Sequence, residues 1–282
     1  MRPAAAQPQD PLQDPPQRWP AEAIWLAAEP LLPGLTVEIL PEIDSTNSEL
    51  MRRCRAGQAE PVLLVAERQS AGRGRLGRSW HSPPGSSLTF SLGLPLAPAD
   101  WAGLSLAVGV SVAEALVGLG ASSVGLKWPN DLWLGQAKLG GILIETAALG
   151  EQRYAVVGVG INIQEPAPNW RPPVTGESLA AAPAVAPAWL QAVGPVSAAQ
   201  LLGTLAPALV RDVLQFERQG WSAFAQRFAR LDLLQGRAVL LSDGRQGLAC
   251  GVSAGGALRL QTAAGLLEVN SGEVSVRPQD LS

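Results

Sequence analysis

Residues 69–80 read Gln69-Ser70-Ala71-Gly72-Arg73-Gly74-Arg75-Leu76-Gly77-Arg78-Ser79-Trp80. Within them Gly72 to Gly77 spells GxGxxG, the spacing of a dinucleotide-binding turn. Such a turn must open a helix whose N-terminus receives the pyrophosphate. Here Pro83-Pro84-Gly85 follows within a few residues, so no long helix starts. A Rossmann oxidoreductase is thereby excluded. What remains is a glycine loop carrying Arg73, Arg75 and Arg78. A flexible backbone with several guanidinium groups suits closure over a polyphosphate or an acyl-phosphate. On this segment alone, a solvated loop with incidental arginines is the alternative.

Working outward, Thr36–Ile43 reads as a strand with a proline interruption. Ser45 reads as a helix N-cap, with Glu49 near the first turn and Leu50, Met51 and Cys54 as the apolar face. Pro61–Ala66 is a short apolar run of buried-strand type, and Ser86–Leu94 alternates like a strand. Trp101–Leu119 predicts a buried helix whose one charge is Glu114. Short apolar pieces at Val124–Leu126 and Leu132–Leu134 flank a turn, and Lys138–Thr146 with Tyr154–Ile163 predict a strand pair. Gln164–Val196, rich in proline and alanine, predicts a long surface excursion. Ser197–Leu231 predicts helix interrupted at Pro207, with Trp221, Phe224 and Phe228 on one face. From Gln235 short alternating runs separated by Gly, Ser and Asp predict a small SH3-like β-barrel.

The chain has 282 residues, of which 47% are apolar and 16% charged, with a net charge of −3. That composition is globular, and the charge argues against a coat for nucleic acid or for an anionic membrane. Cys54 and Cys250 match no disulfide or metal spacing, and His81 is the sole histidine, so a multi-histidine zinc site is excluded. His81 lies beside Ser82, but no GxSxG elbow marks a nucleophile. Residues 1–20, rich in Pro, Gln and Ala, predict a disordered tail without an apolar signal core, and hence a soluble cytoplasmic protein. The prolines of Met1–Leu35 leave no room for a DNA-reading helix-turn-helix, so no DNA partner is expected.

Two further constellations stand out. Lys127-Trp128-Pro129-Asn130-Asp131 is a proline-fixed turn that can present Asn130 and Asp131 to a ribose, a phosphate or Mg²⁺; an ordinary turn is the alternative. Lys138-Leu139-Gly140-Gly141 and Gly158-Val159-Gly160-Ile161-Asn162 put glycines inside strands, where a ligand or another backbone comes close. Trp80, just after the cationic loop, could pack on an adenine or in the core.

Together with Asp44-Ser45-Thr46-Asn47, these motifs resemble those of the biotin protein ligases, in the same order, from about Thr36 to the C-terminus. The resemblance is poor over Gln164–Val196. It implies an α/β (α+β) fold: a class II synthetase-like, mostly antiparallel sheet with helices, and a small C-terminal SH3-like barrel. With the tail at 1–20 read from composition, the organisation expected is a ligase domain at 21–232 and a C-terminal domain at 233–282. The implied reaction activates biotin with ATP as biotinyl-5′-AMP, then transfers it to a lysine of a biotin carboxyl carrier protein. ATP, biotin and Mg²⁺ are the implied cofactors. No membrane partner is expected, and a homodimer is left open.

By the same resemblance, biotin contacts map onto Ser45, Thr46, Asn47, Gln69, Arg73, Gly74, Arg75 and Lys138. Nucleotide contacts map onto Arg73, Arg75, Arg78, Trp80, Asn130, Lys138 and Asn162, and Asp131 is the metal-ligand candidate. Arg73, Arg75 and Lys138 carry the catalytic role, because a carboxylate attacking a polyphosphate needs cations to screen two anions. Leu76 departs from the family, where many members have a basic residue. Without a DNA-binding module, the expectation is a ligase with no repressor function. A lipoate-type ligase is the nearest alternative. A non-catalytic module binding nucleic acid or peptide is another, disfavoured by the charge and by strands without interleaved aromatics.

Overall fold

A computed structural model describes residues 18–83, 85–149, 152–168, 186–270 and 276–278. In chain order the elements are α1 (Ala21–Ala28), β1 (Thr36–Ile43), α2 (Thr46–Arg55), β2 (Val62–Gln69), β3 (Gly72–Arg73), β4 (Ser79–Trp80), β5 (Ser87–Leu96), α3 (Leu104–Gly118), β6 (Val124–Lys127), β7 (Asp131–Leu134), β8 (Ala137–Leu149) and β9 (Gln152–Asn162). Then follow α4 (Ala198–Gln219), α5 (Ala225–Ala229), β10 (Ala238–Leu241), β11 (Gln246–Val252), β12 (Leu258–Thr262), β13 (Gly265–Val269) and β14 (Val276–Pro278). The main sheet has seven strands in the order β1-β2-β5-β9-β8-β7-β6. Only β1–β2 is parallel; every other pair is antiparallel.

Alternation on β9 explains the two faces of this sheet. Ala155, Val157, Val159 and Ile161 point into the large core shared with α1, α3 and α4. Tyr154 and Val156 point the other way, where Leu50, Met51 and Cys54 of α2 meet them with Val62 and Leu64. On that second face the next two positions are Gly158 and Gly160, so the side-chain layer stops and leaves a floor of bare backbone. Each fully buried aliphatic side chain contributes roughly 1.5–3 kcal/mol, so this patterning sets the register of the central strands.

Helix α2 begins as its sequence predicts: Ser45 is extended (φ −160°, ψ 131°) and its Oγ accepts the Ser48 N–H at 3.4 Å. Helix α3 is buried almost all round, and Gly109 lets Leu126 approach to 3.1 Å of where a Cβ would sit. Helix α4 corrects one expectation, for it runs unbroken through Pro207 and ends at Gly220 (φ +66°). Burial of Leu201, Leu202, Leu205, Ala206, Leu209 and Val210 outweighs the one hydrogen bond that proline removes. Helix α1 was not foreseen in the sequence.

The C-terminal strands lie close to the alternating runs and form a five-stranded antiparallel sheet in the order β13-β12-β11-β10-β14. Among the described residues β13 and β14 are its two edges, and this small antiparallel β unit is consistent with the SH3-like barrel expected. The apolar core is continuous into this sheet through Val239, Leu241, Leu258 and Leu260. Its β11–β12 turn docks on the main body: Trp128 Nε1 donates to Gly256 O (3.1 Å) and Trp221 Nε1 to Ser253 O (3.1 Å).

Residues 1–17 of the expected tail and 169–185 of the expected excursion lie outside the described residues, as does most of the run at 273–276. The described end of the excursion is largely exposed but anchored to the sheet. It returns to β8, where Lys138 N–H donates to Ala186 O (2.9 Å) and Ala188 N–H to Lys138 O (2.8 Å), and Leu190 is fully buried. Among the described residues no helix is long and apolar enough to cross a membrane.

Candidate active site

The glycine floor is a set of cross-strand rows. Gly160 pairs with Gly141 on β8 and with Thr89 on β5, and Gly141 pairs with Asp131 on β7. Two residues along, Gly158 pairs with Leu143 and Ser91. These glycines are required by what lies over them. A methyl on Gly158 would overlap Asn47 Oδ1, and one on Gly160 would come within 2.5 Å of the Trp80 ring.

One end of the floor is a cradle of neutral polar groups. Thr46 donates its N–H (2.7 Å) and its hydroxyl (3.2 Å) to Gln69 Oε1. Ser91 Oγ lies 2.7 Å from Thr46 Oγ1 and 2.6 Å from Asn47 Oδ1. Ser91 carries one hydroxyl proton, and Asn47 Oδ1, which can only accept, takes it; the Thr46 hydroxyl is then shared between Ser91 Oγ and Gln69 Oε1. Asn47 Nδ2 donates to Leu143 O (3.2 Å) and to Glu145 Oε2 (3.0 Å). Thr46, Asn47 and Ser91 are all buried. Ser45 caps the helix beside them, and its hydroxyl keeps a proton to donate.

The arginine segment is a small hairpin folded over the floor. Gly72 pairs with Trp80 and Arg73 with Ser79; Gly74 N–H donates to Arg78 O at 2.7 Å. Leu76 turns the tip with φ +56°, a left-handed conformation unusual for leucine, and is 56% exposed. Arg73 bonds Glu145 (2.9 and 3.3 Å). Arg75 donates to Asn130 Oδ1 at 3.0 Å, while Asn130 Nδ2 donates to Ile142 O at 2.8 Å. Trp80 lies against Gly160, and its buried Nε1 has no hydrogen-bond partner among the described residues. His81 is exposed, in keeping with a histidine outside the chemistry.

The other end of the floor is cationic. Lys138 Nζ lies 2.6 Å from Asp131 Oδ1, and Lys127 Nζ lies 3.6 Å from Asp131 Oδ2 and 5.2 Å from the centre of the Trp133 ring. Burial pushes the Asp131 carboxyl up, but Lys138 and then Lys127 outweigh it and hold the group below its ordinary value. Burial likewise pulls the Lys127 ammonium down, against the pull of Asp131. Asn162 Nδ2 bonds Lys138 O (3.3 Å) and Ala188 O (3.1 Å), clasping the returning segment to β8.

The structure thus brings the expected residues to one face of the sheet. Asn130 holds Arg75 through Oδ1 and Ile142 O through Nδ2. Asp131, expected as a metal ligand, is the counter-ion of two lysines, and among the described residues no three of His, Cys, Asp and Glu cluster as metal donors. Those donors do not fit a resident Mg²⁺. Three participants were missed. Ser91 and Glu145 sat in strands read only for their alternation. Lys127 was quoted in its motif without a role, although a lysine at the end of an apolar strand is a signal of its own.

The family model described as the biotin/lipoate A/B protein ligase family matches residues 40–162. The bifunctional ligase/repressor BirA of Escherichia coli (strain K12) is 37% identical, over 87% of this chain and 75% of that one. A biotin–[acetyl-CoA-carboxylase] ligase of Paracoccus denitrificans is 32% identical, over 84% of this chain and 98% of its own length. Among solved structures, the biotin protein ligase from Aquifex aeolicus in complex with biotin and ATP superposes with a TM-score of 0.69 at 28% identity, covering 86% of this chain and 99% of that one.

Proposed function

The chain belongs to the biotin/lipoate A/B protein ligase family, and we propose that it joins biotin to a protein lysine at the expense of ATP, by way of biotinyl-5′-AMP. In the first step a biotin carboxylate oxygen bonds to the α-phosphorus of ATP, and the bond to the β-phosphate breaks to release pyrophosphate. In the second, a lysine ε-amine bonds to the acyl carbon, AMP leaves, and the amine gives up a proton. The acceptor is read as a biotin carboxyl carrier domain.

One observation carries this reading: a buried neutral cradle and a cationic cluster share a single glycine floor. The ureido ring needs neutral donors and acceptors, which Thr46, Asn47, Gln69 and Ser91 supply, with Ser45 beside them. A lipoate dithiolane offers these groups no hydrogen bond, whereas a ureido ring offers both donors and an acceptor. That weighs against the lipoate alternative.

Arg73, Arg75 and Lys138 are assigned to screen the carboxylate and the phosphates, with Arg78 on the exposed side of the hairpin. Asp131 holds Lys138 in place, and Lys127 keeps Asp131 ionised. Gly74 leaves the backbone of the hairpin close to the ligand; Trp80 and Asn162 flank the adenylate. The anhydride is water-labile, and the hairpin over it excludes solvent. Mg²⁺ is assigned to the nucleotide's phosphates, arriving with the substrate. The chemistry is assigned to residues 21–232, with residues 233–282 as a supporting domain.

The test is ATP-dependent pyrophosphate release with biotin against lipoate, followed by transfer to a carrier domain. Release that requires biotin is expected. No release with biotin, and no heat on titrating it with nucleotide present or absent, would refute the reading.

A further inference from the structure

The cradle and the arginine hairpin meet at one carboxylate, Glu145, to which the reaction above gives no part. Its two oxygens lie 2.9 and 3.3 Å from Arg73 NH1, and Oε2 also accepts the Asn47 amide at 3.0 Å. The Glu145 side chain is only 20% exposed, whereas that of Arg73 is 50% exposed.

An ionised carboxylate can only accept hydrogen bonds. Beside it, Asn47 has one favourable orientation, with Nδ2 toward Glu145 and Oδ1 toward Ser91 and Gly158. Both amide protons are then consumed, one by Glu145 and one by Leu143 O. Asn47 is left able to take an N–H from a ligand and unable to give one. A cyclic urea presents such an N–H. The same carboxylate holds Arg73, and with it the strand β3 that covers the floor.

We propose that Glu145 is a positioning residue that fixes the polarity of Asn47 toward a ureido N–H and tethers the arginine hairpin through Arg73. Ligand recognition and seating of the hairpin therefore share one charge. The first half rests on the biotin reading; the tether does not.

Glu145→Gln keeps the shape and removes the charge. In biotin-dependent pyrophosphate release by the full chain, it is expected to raise the biotin KM about tenfold while kcat changes by less than about threefold. In an Asn47→Ala background the same change is expected to raise the biotin KM by less than about twofold, because the recognition half of its role passes through Asn47, while the Arg73 tether is read separately by ligand-free cleavage. Without any ligand, trypsin is expected to cut after Arg73, Arg75 or Arg78 about two- to fivefold faster in Glu145→Gln than in the wild type, with other sites unaffected. An unchanged biotin KM, full additivity with Asn47→Ala, or an unchanged cleavage rate overturns the proposal. A wild-type chain that releases no pyrophosphate with biotin overturns the ligase reading instead, and the ligand-free cleavage comparison still decides the tether.

Discussion

Gly160→Ala adds one methyl to the floor directly beneath the Trp80 ring. Its Cβ would lie 2.5 Å from Trp80 Cε2, 2.7 Å from Cζ2 and 3.0 Å from Cδ2. Comfortable carbon contacts are about 3.5–4.0 Å, so the ring must retreat by roughly 1 Å. It cannot do so by sliding along the hairpin. The base is pinned where Ser70 N–H donates to Ile43 O (2.9 Å) and Ala71 N–H to Asp44 O (2.9 Å), and Gly72 has no space for a shift toward the Trp80 carbonyl.

The ring and its strand β4 must therefore tilt off the sheet. Because a two-residue strand yields more easily than a packed core, the stability cost is predicted at the low end of about 1–3 kcal/mol. The catalytic cost is larger, since about 1 Å of misplacement costs on the order of a hundredfold, or roughly 2.7 kcal/mol of barrier. Biotin-dependent pyrophosphate release, measured with a thermal melt of the same sample, separates the two effects. Gly118→Ala is the control: among the described residues nothing lies within 4 Å of its added methyl, so full activity is expected. Wild-type kcat/KM in Gly160→Ala, with an unchanged melting temperature, would refute the seating of Trp80 on the floor.

Three other outcomes are expected. Asp131 is held below its ordinary carboxyl value of 3.8, so it contributes stability above about pH 4 that is lost as pH falls through its lower folded value. Urea unfolding should then show Asp131→Asn less stable than wild type at neutral pH, with the gap closing below about pH 4; a gap independent of pH would contradict the ion-pair assignment. Trp128→Phe removes the indole donor to Gly256 O, which is 3.1 Å away, and part of a fully buried side chain. A loss of about 1–3 kcal/mol in chemical denaturation is expected, and an unchanged midpoint would show that the junction with the second sheet carries no load. Pro207→Ala restores a missing N–H inside α4, so a gain of about 1–3 kcal/mol is expected; destabilisation would mean that the proline ring packs better than the helix bond it displaces.

The elements were legible because they are local. Alternation in Tyr154–Ile163, the cap at Ser45, the apolar run of α3 and the short C-terminal strands are patterns over a few neighbouring residues, and the chain adopts them nearly as written. Pro83-Pro84-Gly85 alone removed the dinucleotide fold from consideration. The misreading is one in which distant packing overrides a local signal: Pro207 continues a helix because six buried aliphatic side chains hold it.

The site divides in the same way. Which residue types would be present, neutral polar groups early and cations with glycines after them, was readable from the motifs. Which of them touch was decided only by the tertiary structure. Asn47 and Glu145 are 98 residues apart, Arg73 and Glu145 72 apart, and Asn47 and Ser91 44 apart. No periodicity spans such separations. Hydrogen bonds and ion pairs depend on distance in space, and that distance is set here by the order in which seven strands lie side by side.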